Sequence, residues 1–535
     1  MRFQKWRAFR KSLLEQFPQL NPENQTYRWL VLVSVMIGTF MAVLDSTIVN
    51  VALSKLMATF GVSVDRVEWI VTAYMLIFGV ALPSSSWLAD TWGYKPTFLL
   101  GLFLFTLGSF LSSVSWNINI LIAFRVVQGA GAGLLLPVGM AILTREFPPE
   151  KRGIALGFWS VAASASVALG PTAGGYLIEH FSWHSIFDVN IPIGIIGMAA
   201  SLIILRNYKS SHVRYFDLIG FLSLAAFLTC LLLALSSGNS AWNTGGWTST
   251  YILVNFAISL VGLAIFLITE FNIRHPLIEL QLFKSFNFSM SNIVFFIFGL
   301  GMFGSVFLLP IYLQNSLGYT PLQAGLVFLP MGIMLGMIAP LAGIFSDRFS
   351  AKIPVVIGLA LMALSLYQYS FLSYLSEKPQ IMFPLYLRGI AMGLIMSPLA
   401  NIAISGVTNE KMAQASGLIN VIRQIGGSFG VALFGTILTR RTNFHLAAYG
   451  QQLNANSDSF KQIILKLQNF AVHSTGGTVS DGLDKAKTAL FRFIQNQAFI
   501  QAIDDVFLIA AIIVLVSIFP VLFMRTTGVK RLAKL

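Results

Sequence analysis

The chain is short of nearly everything a soluble enzyme uses. Its 535 residues include one cysteine, six histidines and only 21 aspartates and glutamates. The single Cys230 excludes an intramolecular disulfide. The histidines are scattered. Their only helically spaced pair, His180 and His184, lies at an outside loop and reads as a chance pair, so a metal centre is not expected. Charged residues make up 10% of the chain, against about 25% in an ordinary soluble domain. No phosphate-binding loop of the form G-x-x-x-x-G-K-S/T is present, which speaks against an ATP-driven machine. The N-terminal run MRFQKWRAFRKSLLEQF has neither an apolar core nor a small-residue cleavage site, so it does not read as a cleaved signal. Its aromatic and leucine residues at near-helical spacing suit an interfacial helix on anionic lipid; a solvated basic tail fits equally well.

What remains is apolar. Hydrophobic residues make up 56% of the chain, and runs of about 20, the length of one membrane crossing, recur from Trp29 onward. Fourteen spans are expected, at 29–53, 68–90, 97–115, 118–143, 153–178, 186–206, 216–236, 250–270, 289–314, 321–344, 354–373, 382–405, 412–436 and 503–524. The lipid bilayer is therefore the first partner. The net charge of +14 would suggest nucleic acid in a soluble protein, but its distribution does not. With the N-terminus inside, 22 of the 35 lysines and arginines fall on inside segments, and the short outside loops hold only Lys55, Arg66 and Lys378. By the positive-inside rule both ends are cytoplasmic, and no nucleic-acid partner is expected.

The chain also repeats. The loop after span 2 reads SWLADTWGYK (86–95) and the loop after span 10 reads GIFSDRFSAK (343–352), with Asp at the fifth position and Lys at the tenth of each. Span 4 carries Arg125 and then Gly129, Gly131, Gly133 and Pro137; span 12 carries Arg388, Gly389, Gly393 and Pro398. Spans 1–6 thus match spans 9–14 in the same orientation, with spans 7 and 8 inserted between. The expected organisation is a basic segment 1–28, a six-helix bundle 29–206, two inserted helices within 207–288, a second six-helix bundle 289–524 and a tail 525–535. The second bundle contains a polar outside loop, 437–500. Within that loop SFKQIILKLQNF (459–470) and GLDKAKTALFRFIQNQ (482–497) read as amphipathic helices, the second capped by Ser480 or Asp481. They form either a docking surface or exit gate, or a plain roof over the bundle.

One residue stands against the apolar background. Asp45 lies inside span 1, where an acidic group costs roughly 2.5–3.5 kcal/mol on insertion scales and usually serves a function. Span 4 runs the opposite way and carries Arg125 at about the same depth, so the two can meet if their helices are neighbours. A guanidinium that approaches or withdraws, or water admitted from one side, would switch such an aspartate between binding and releasing a proton. The plain alternative is a fixed ion pair. Span 9, the repeat partner of span 1, has no carboxylate. Arg388 and Arg423 in the second half lack an evident acid; helix ends or backbone carbonyls are the expected partners, with an anionic part of the substrate as the alternative.

These stretches together resemble the major facilitator superfamily, and within it the fourteen-helix drug:proton antiporters of the EmrB/QacA type. LDSTIVNVAL (44–53) and WIVTAYML (69–76) are similar to signatures of the first two helices of that group. SWLADTWGYK resembles the superfamily loop motif, LIAFRVVQGAGAG (121–133) the fourth-helix motif, and SVALGPTAGG (166–175) the fifth-helix motif of exporters. LPIYLQNSLGYTPLQAGLVFLP (309–330) and ASGLINVIRQIGGSFGVAL (415–433) also look like this group. The loop motif departs from the pattern: Ser86 stands for a usual Gly, and Thr91 and Tyr94 stand where Arg is usual.

The resemblance implies an all-α polytopic membrane protein with two six-helix bundles plus two inserted helices. It implies a proton-coupled secondary transporter that exports amphipathic drugs by alternating access, not an enzyme. No cofactor is expected, the energy source being the proton gradient. Asp45 and Arg125 would couple protons. Asp90, Gly93 and Lys95, with Asp347 and Arg348 in the repeat, would form a conformational latch. Gly157, Gly170, Pro171, Gly174 and Gly175 would form a close-packed hinge, since small residues on successive turns let helices approach. Asn50, Tyr74, Gln128, Tyr312, Gln314, Asn420 and Arg423 are candidates for the substrate cavity. Abundant Phe and Met, 45 and 18, suit adaptable apolar contact. Span 10 has no membrane acid, which favours neutral or monovalent substrates. Gram-negative relatives with a long outside loop work in the inner membrane with a periplasmic adaptor and an outer-membrane channel, so such partners are expected here. Competing readings are an exporter of one metabolite or lipid and, from other classes, a membrane enzyme or a non-transporting sensor.

Overall fold

In a computed structural model the described residues are 25–208, 216–238, 243, 245–273, 276–278, 280–348, 350–405, 407, 412–452, 458–475 and 479–524. Every long element among them is a helix, as a membrane demands, because a helix satisfies its own backbone polar groups. The long helices are α1 (Gln25–Phe60), α2 (Trp69–Trp92), α3 (Tyr94–Ser113), α4 (Ile118–Glu146), α5 (Pro149–His180), α6 (Asn190–Ile204), α7 (Leu218–Ser237), α8 (Thr250–Asn272), α9 (Phe286–Asn315), α10 (Leu329–Arg348), α11 (Lys352–Gln368), α12 (Lys378–Ile404), α13 (Met412–Gln452) and α14 (Val479–Val516). Among the described residues thirteen helical stretches are long and apolar enough to cross a membrane. With α5, which packs beside α1, they fill the fourteen expected places.

Local chemistry sets several boundaries. The Asn117 side chain caps α4 by accepting from Ile120 N at 2.9 Å, and Asp217 caps α7 by accepting from Gly220 N at 2.7 Å. Thr320 and Gln323 form a reciprocal capping box on the short helix Pro321–Leu326 that leads into α10. Prolines inside α2, α4, α5, α9, α10 and α12 are tolerated where neighbours pack tightly.

The two halves repeat in packing as they do in sequence. In the first, α1 lies against α5 and α6, α2 against α4, and α3 against α4 and α6; in the second, α9 lies against α13 and α14, α10 against α12, and α11 against α12 and α14. The inserted pair α7–α8 packs on itself, and α7 alone touches both halves, against α2 and α13. Thr436 Oγ1 donates to Leu235 O at 2.9 Å and Trp69 Nε1 to Ser236 Oγ at 3.1 Å, fixing α7 over that seam.

The segment 437–500 differs from the expected loop. The two expected amphipathic stretches are helical, within Asp458–Thr475 and Val479–Val516, but the second is continuous with the last span and α13 runs on to Gln452, so both spanning helices project beyond the bundle. No proline or glycine interrupts the chain between Leu483 and Val516, so the polar stretch and the last span propagate as one helix. Only the lateral helix Asp458–Thr475 stands alone, packed on α14. Asp505 on α14 ties the projection together, accepting from Arg441 Nε on α13 at 2.6 Å and lying 2.6 Å from His445 Nε2. We call this face of the molecule the loop side and the face of both termini the terminal side. The proposed interfacial helix of the N-terminal run falls outside the described residues.

Candidate functional site

The middle of the first half holds a closed polar network. Asp45 on α1 and Arg125 on α4 are both fully buried and form an ion pair through Arg125 Nη1 and Asp45 Oδ2. Two amides complete the carboxylate's shell. Gln128 Nε2 donates to Asp45 Oδ1 at 2.8 Å and Asn190 Nδ2, from the start of α6, donates to the same oxygen at 3.1 Å. Three side chains on two other helices thus direct donors at one carboxylate, the arrangement that fits its ionised, acceptor-only form.

Arg125 is held as firmly. Its Nε donates to Ile70 O on α2 at 3.1 Å and its Nη1 donates to Gln128 Oε1 at 2.6 Å. The guanidinium carbon lies 4.1 Å from the centroid of the Tyr74 ring and 5.7 Å from that of Phe187, with the Tyr74 hydroxyl anchored to Ala42 O at 2.9 Å. Ser109 on α3 accepts from Gln128 Nε2 and Asn190 Nδ2 at 3.1 Å each, and its own proton goes to Phe187 O. Arg125 Nη2 has no partner among the described residues. A buried donor without an acceptor is costly, and it leaves the network one hydrogen bond short on the cationic side.

Sequence reasoning found Asp45 and Arg125 and assigned Tyr74 and Gln128 to a cavity wall; the structure assigns those two to the ion pair's shell. It missed Ser109 and Asn190. Asn190 was legible as an amide within an apolar segment, VNIPIGIIG, and was passed over.

The hinge residues occupy a junction of three helices. A Cβ on Gly170 would lie 2.0 Å from Thr47 Oγ1, and one on Gly174 2.8 Å from Ile48 O, so both sit hard against α1. Gly175 faces the other half: its Cβ would fall 2.3 Å from Pro321 O, while Gly325 abuts Pro171 O at 2.1 Å by the same construction. The two halves meet here on the loop side. Thr172 Oγ1 donates to Gly325 O at 3.2 Å, Leu322 N to Glu179 Oε2 at 3.2 Å, and Gln314 Nε2 to Val51 O at 2.8 Å. Gly157 lies in α5 at a position whose side-chain surroundings are outside the described residues.

At the terminal side the loop motif makes a network that its departures had put in doubt. Tyr94 stands where Arg is usual, yet its hydroxyl donates to Asp90 Oδ1 at 3.3 Å and accepts from Arg145 Nη2 at 3.0 Å, with the Arg145 guanidinium 4.1 Å above its ring. Gly93 has φ +105, and a Cβ there would strike the Asn207 side chain. Lys95 donates to Leu202 O at the end of α6. Tyr208 donates to Glu146 Oε1 at 2.7 Å, and partial burial followed by that carboxylate pushes its phenol up to about 12, so it remains a donor throughout the physiological range. These partners lie in the first half or in the two residues, Asn207 and Tyr208, that follow it. The side chains of Asp347 and Arg348 fall outside the described residues.

The remaining cavity candidates divide. Asn50 is buried and bonds the carbonyls of Ser46 and Thr47, with Oδ1 unpartnered among the described residues. Asn420 and Arg423 form a pair on α13, Nη2 to Oδ1 at 3.0 Å, beside Met396. Tyr312 is a correction: it is sealed inside the second half and donates to Ser373 O at 2.7 Å, so it lines no open cavity. Arg388 and Arg423 are a second correction. Their partners among the described residues are the side chains of Ser305, at 2.9 Å, and of Asn420 and Met396, in place of the expected backbone carbonyls. His180 and His184 stack on Tyr176 and Trp183, and no cluster of metal-binding side chains occurs among the described residues.

Comparison with known proteins accords with this geometry. The Major Facilitator Superfamily model matches residues 35–431. An uncharacterized MFS-type transporter, YhcA, of Bacillus subtilis (strain 168) is 31% identical over 94% of each chain. A probable multidrug resistance protein, EmrY, of Escherichia coli (strain K12) is 34% identical over 81% of this chain and 84% of its own, and the multidrug export protein EmrB of the same strain is 29% identical over 93% and 95%. Among solved structures, a bacterial homolog of the human lysosomal transporter Spinster superposes with a TM-score of 0.61 at 16% identity, covering 95% of this chain and 100% of that one. A D-xylose–proton symporter gives 0.56 at 12% identity, covering 91% and 97%. At such identities the superpositions speak to the fold alone.

Proposed function

This chain belongs to the Major Facilitator Superfamily, and we propose that it is a proton-coupled exporter of amphipathic compounds working by alternating access. It is a multi-pass membrane transporter with multidrug-resistance relatives; the proton coupling, the antiport and the substrate class are our reading. The observation that carries it is the sealed Asp45–Arg125 pair with its amide shell. In the state seen here the halves meet on the loop side and the carboxylate is fully matched by donors. A proton arriving at Asp45 would cancel its charge, release Arg125 and make the Gln128 and Asn190 donors mismatched. Each protonation state therefore favours a different arrangement of α1, α4 and α6, which is the differential interaction a coupled transporter needs. No cofactor enters this scheme; the proton gradient drives it.

The bias of the basic residues supports an orientation with both termini in the cytoplasm and the loop side outside. Substrate contact falls to Asn50, Asn420 and Arg423 together with apolar side chains. An inner-membrane location, with an adaptor protein and an outer-membrane channel as partners, is supported by the projection on the loop side. Phe444, Phe470, Phe491 and Phe493 are more than half exposed there, an apolar display that a partner would cover.

The test uses inverted membrane vesicles energised with a pH gradient. The wild type accumulates a fluorescent cationic dye, and Asp45→Asn reduces accumulation to the level of vesicles lacking the protein. Transport by the variant at the wild-type rate refutes the coupling role. Failure of the wild type on every dye, with success on a single metabolite, refutes the broad substrate range.

A further inference from the structure

A second membrane acid lies outside the Asp45 hydrogen-bond network, two residues before Ile70, whose carbonyl accepts from Arg125 Nε. Glu68 opens α2 on the loop side and is completely buried, and both of its carboxylate oxygens lack a hydrogen-bond partner among the described residues. Its place is the seam between the halves. Oε2 rests in a notch at Gly435 on α13, where any Cβ would overlap it. The inserted helix α7 closes the seam from outside through the Trp69–Ser236 and Thr436–Leu235 hydrogen bonds. Deeper along the same two helices, Thr72 Oγ1 on α2 and Ser428 Oγ and Gln424 Nε2 on α13 are likewise buried without partners. Three helices, one from each half and one inserted, therefore enclose an acid that no described side chain neutralises.

The charged groups on the surrounding elements do not supply a counterion. Asp65, on Glu68's own segment, has the same sign and bonds Ser63. Arg66 is exposed and donates to Asn119; Lys55 on α1 and Arg440 on α13 are exposed; Arg441 on α13 is held by Asp505; and Arg125 on α4, though it bonds the α2 carbonyl of Ile70, is committed to Asp45 and Gln128. The inserted helix α7 carries no charged residue along its whole length. An ionised carboxylate enclosed in this way costs several kcal/mol, whereas a protonated one carries only the smaller cost of an unbonded hydroxyl.

We propose that Glu68 is a proton-binding site of the loop-side gate, occupied when the halves close over it and vacated to the loop side when they part. The proposal deepens the alternating-access reading and rests on it, but not on Asp45. Closing the gate takes a proton from the loop side, and opening returns it to the same side. The site therefore moves no net proton across the membrane. It makes the gate sensitive to the pH of the compartment it faces: each unit of acidification favours closure by up to about tenfold, in the range above the free carboxylate's own titration. Gly435 is the receptor for the acid, and its lack of a Cβ permits the halves to meet there.

The test places spin labels at Phe181→Cys and Leu375→Cys, exposed positions on the loop side of opposite halves, in a Cys230→Ser background of the full chain in nanodiscs. Distances measured by double electron–electron resonance between pH 5 and 9 should show the long, open distance gaining population as pH rises. Glu68→Gln should remain closed across the range, and the pH response should persist in Asp45→Asn. Gly435→Ala should populate the open distance at every pH, because its methyl group occupies the acid's place. The proposal is overturned if Glu68→Gln keeps the wild-type pH response, or if the response vanishes with Asp45→Asn instead. A single distance under all conditions, including added transported dye, removes the alternating-access reading along with it.

Discussion

The two halves bury the same guanidinium in equivalent places and treat it differently. Arg125 on α4 meets an aspartate on α1; Arg388 on α12 meets a serine, Ser305, on α9. Both arginines are fully buried, and both lie over a tyrosine ring, Tyr74 at 4.1 Å and Tyr369 at 5.1 Å. In the first half a carboxylate and two amides complete the site. In the second, Arg388 Nε and Nη2 are unpartnered among the described residues. A repeated fold can thus carry a buried cation twice while the acid that could exchange it for a proton is present once. What separates a coupling site from a packing element here is one carboxylate and its donors.

The difference can be broken most severely at the arginines. Arg125→Met should destabilise the protein by ~3–5 kcal/mol, because it leaves Asp45 buried and uncompensated, and adding Asp45→Asn should recover most of that loss. Arg388→Met, by contrast, strands no opposite charge and should change stability by less than about 1 kcal/mol. Thermal unfolding in detergent of the three variants checks both statements. Equal losses at Arg125 and Arg388 would mean that the acid is not what distinguishes the halves.

The difference can also be erased by supplying the missing group. Ser305→Asp would place a carboxylate beside Arg388 Nη1 and is expected to stabilise the second half by about 1.5–3 kcal/mol, the range of a charge-assisted hydrogen bond. Vesicle transport should not increase, since the new site lacks the amide shell that ties Asp45 to α6. A variant that unfolds at lower temperature than the wild type would show that Ser305 and Arg388 do not hold the geometry described.

The sequence made the fold legible because a membrane leaves few options: apolar runs of the required length give fourteen helices, the basic bias their orientation, and the internal repeat two six-helix bundles with two helices inserted. The Asp45–Arg125 meeting was legible for a related reason, since intramembrane charges are few and their depths can be counted. The shell was harder to read. Ser109 and Asn190 are ordinary small polar residues, and only the packing of α3 against α4 and of α6 against α1 and α3 gives them a carboxylate or an amide to bond. Glu68 sits at a span boundary, where an acid is usually solvated, and its burial comes from α13 and α7, more than 100 residues away in the chain. The projection of α13 and α14 was missed because amphipathic periodicity marks a helix without saying where the neighbouring helix stops.

The smallest effect concerns the terminal-side loop, where Tyr94 replaces a usual arginine. Its hydroxyl bridges Asp90 and Arg145, so a neutral side chain mediates between an acid and a base that a second guanidinium would have crowded. Tyr94→Phe keeps the ring under Arg145 and removes only the two hydrogen bonds. It should cost roughly 0.5–1.5 kcal/mol per bond lost and leave the loop-side contacts untouched. Tyr94→Arg should do more, because it places two guanidiniums against one carboxylate and gives up the ring beneath Arg145. Comparing the unfolding temperatures of the two variants distinguishes a bridging tyrosine from a tolerated one: if Tyr94→Arg equals or exceeds the wild type, the loop works by charge pairing alone, and the tyrosine contributes nothing that an arginine would not.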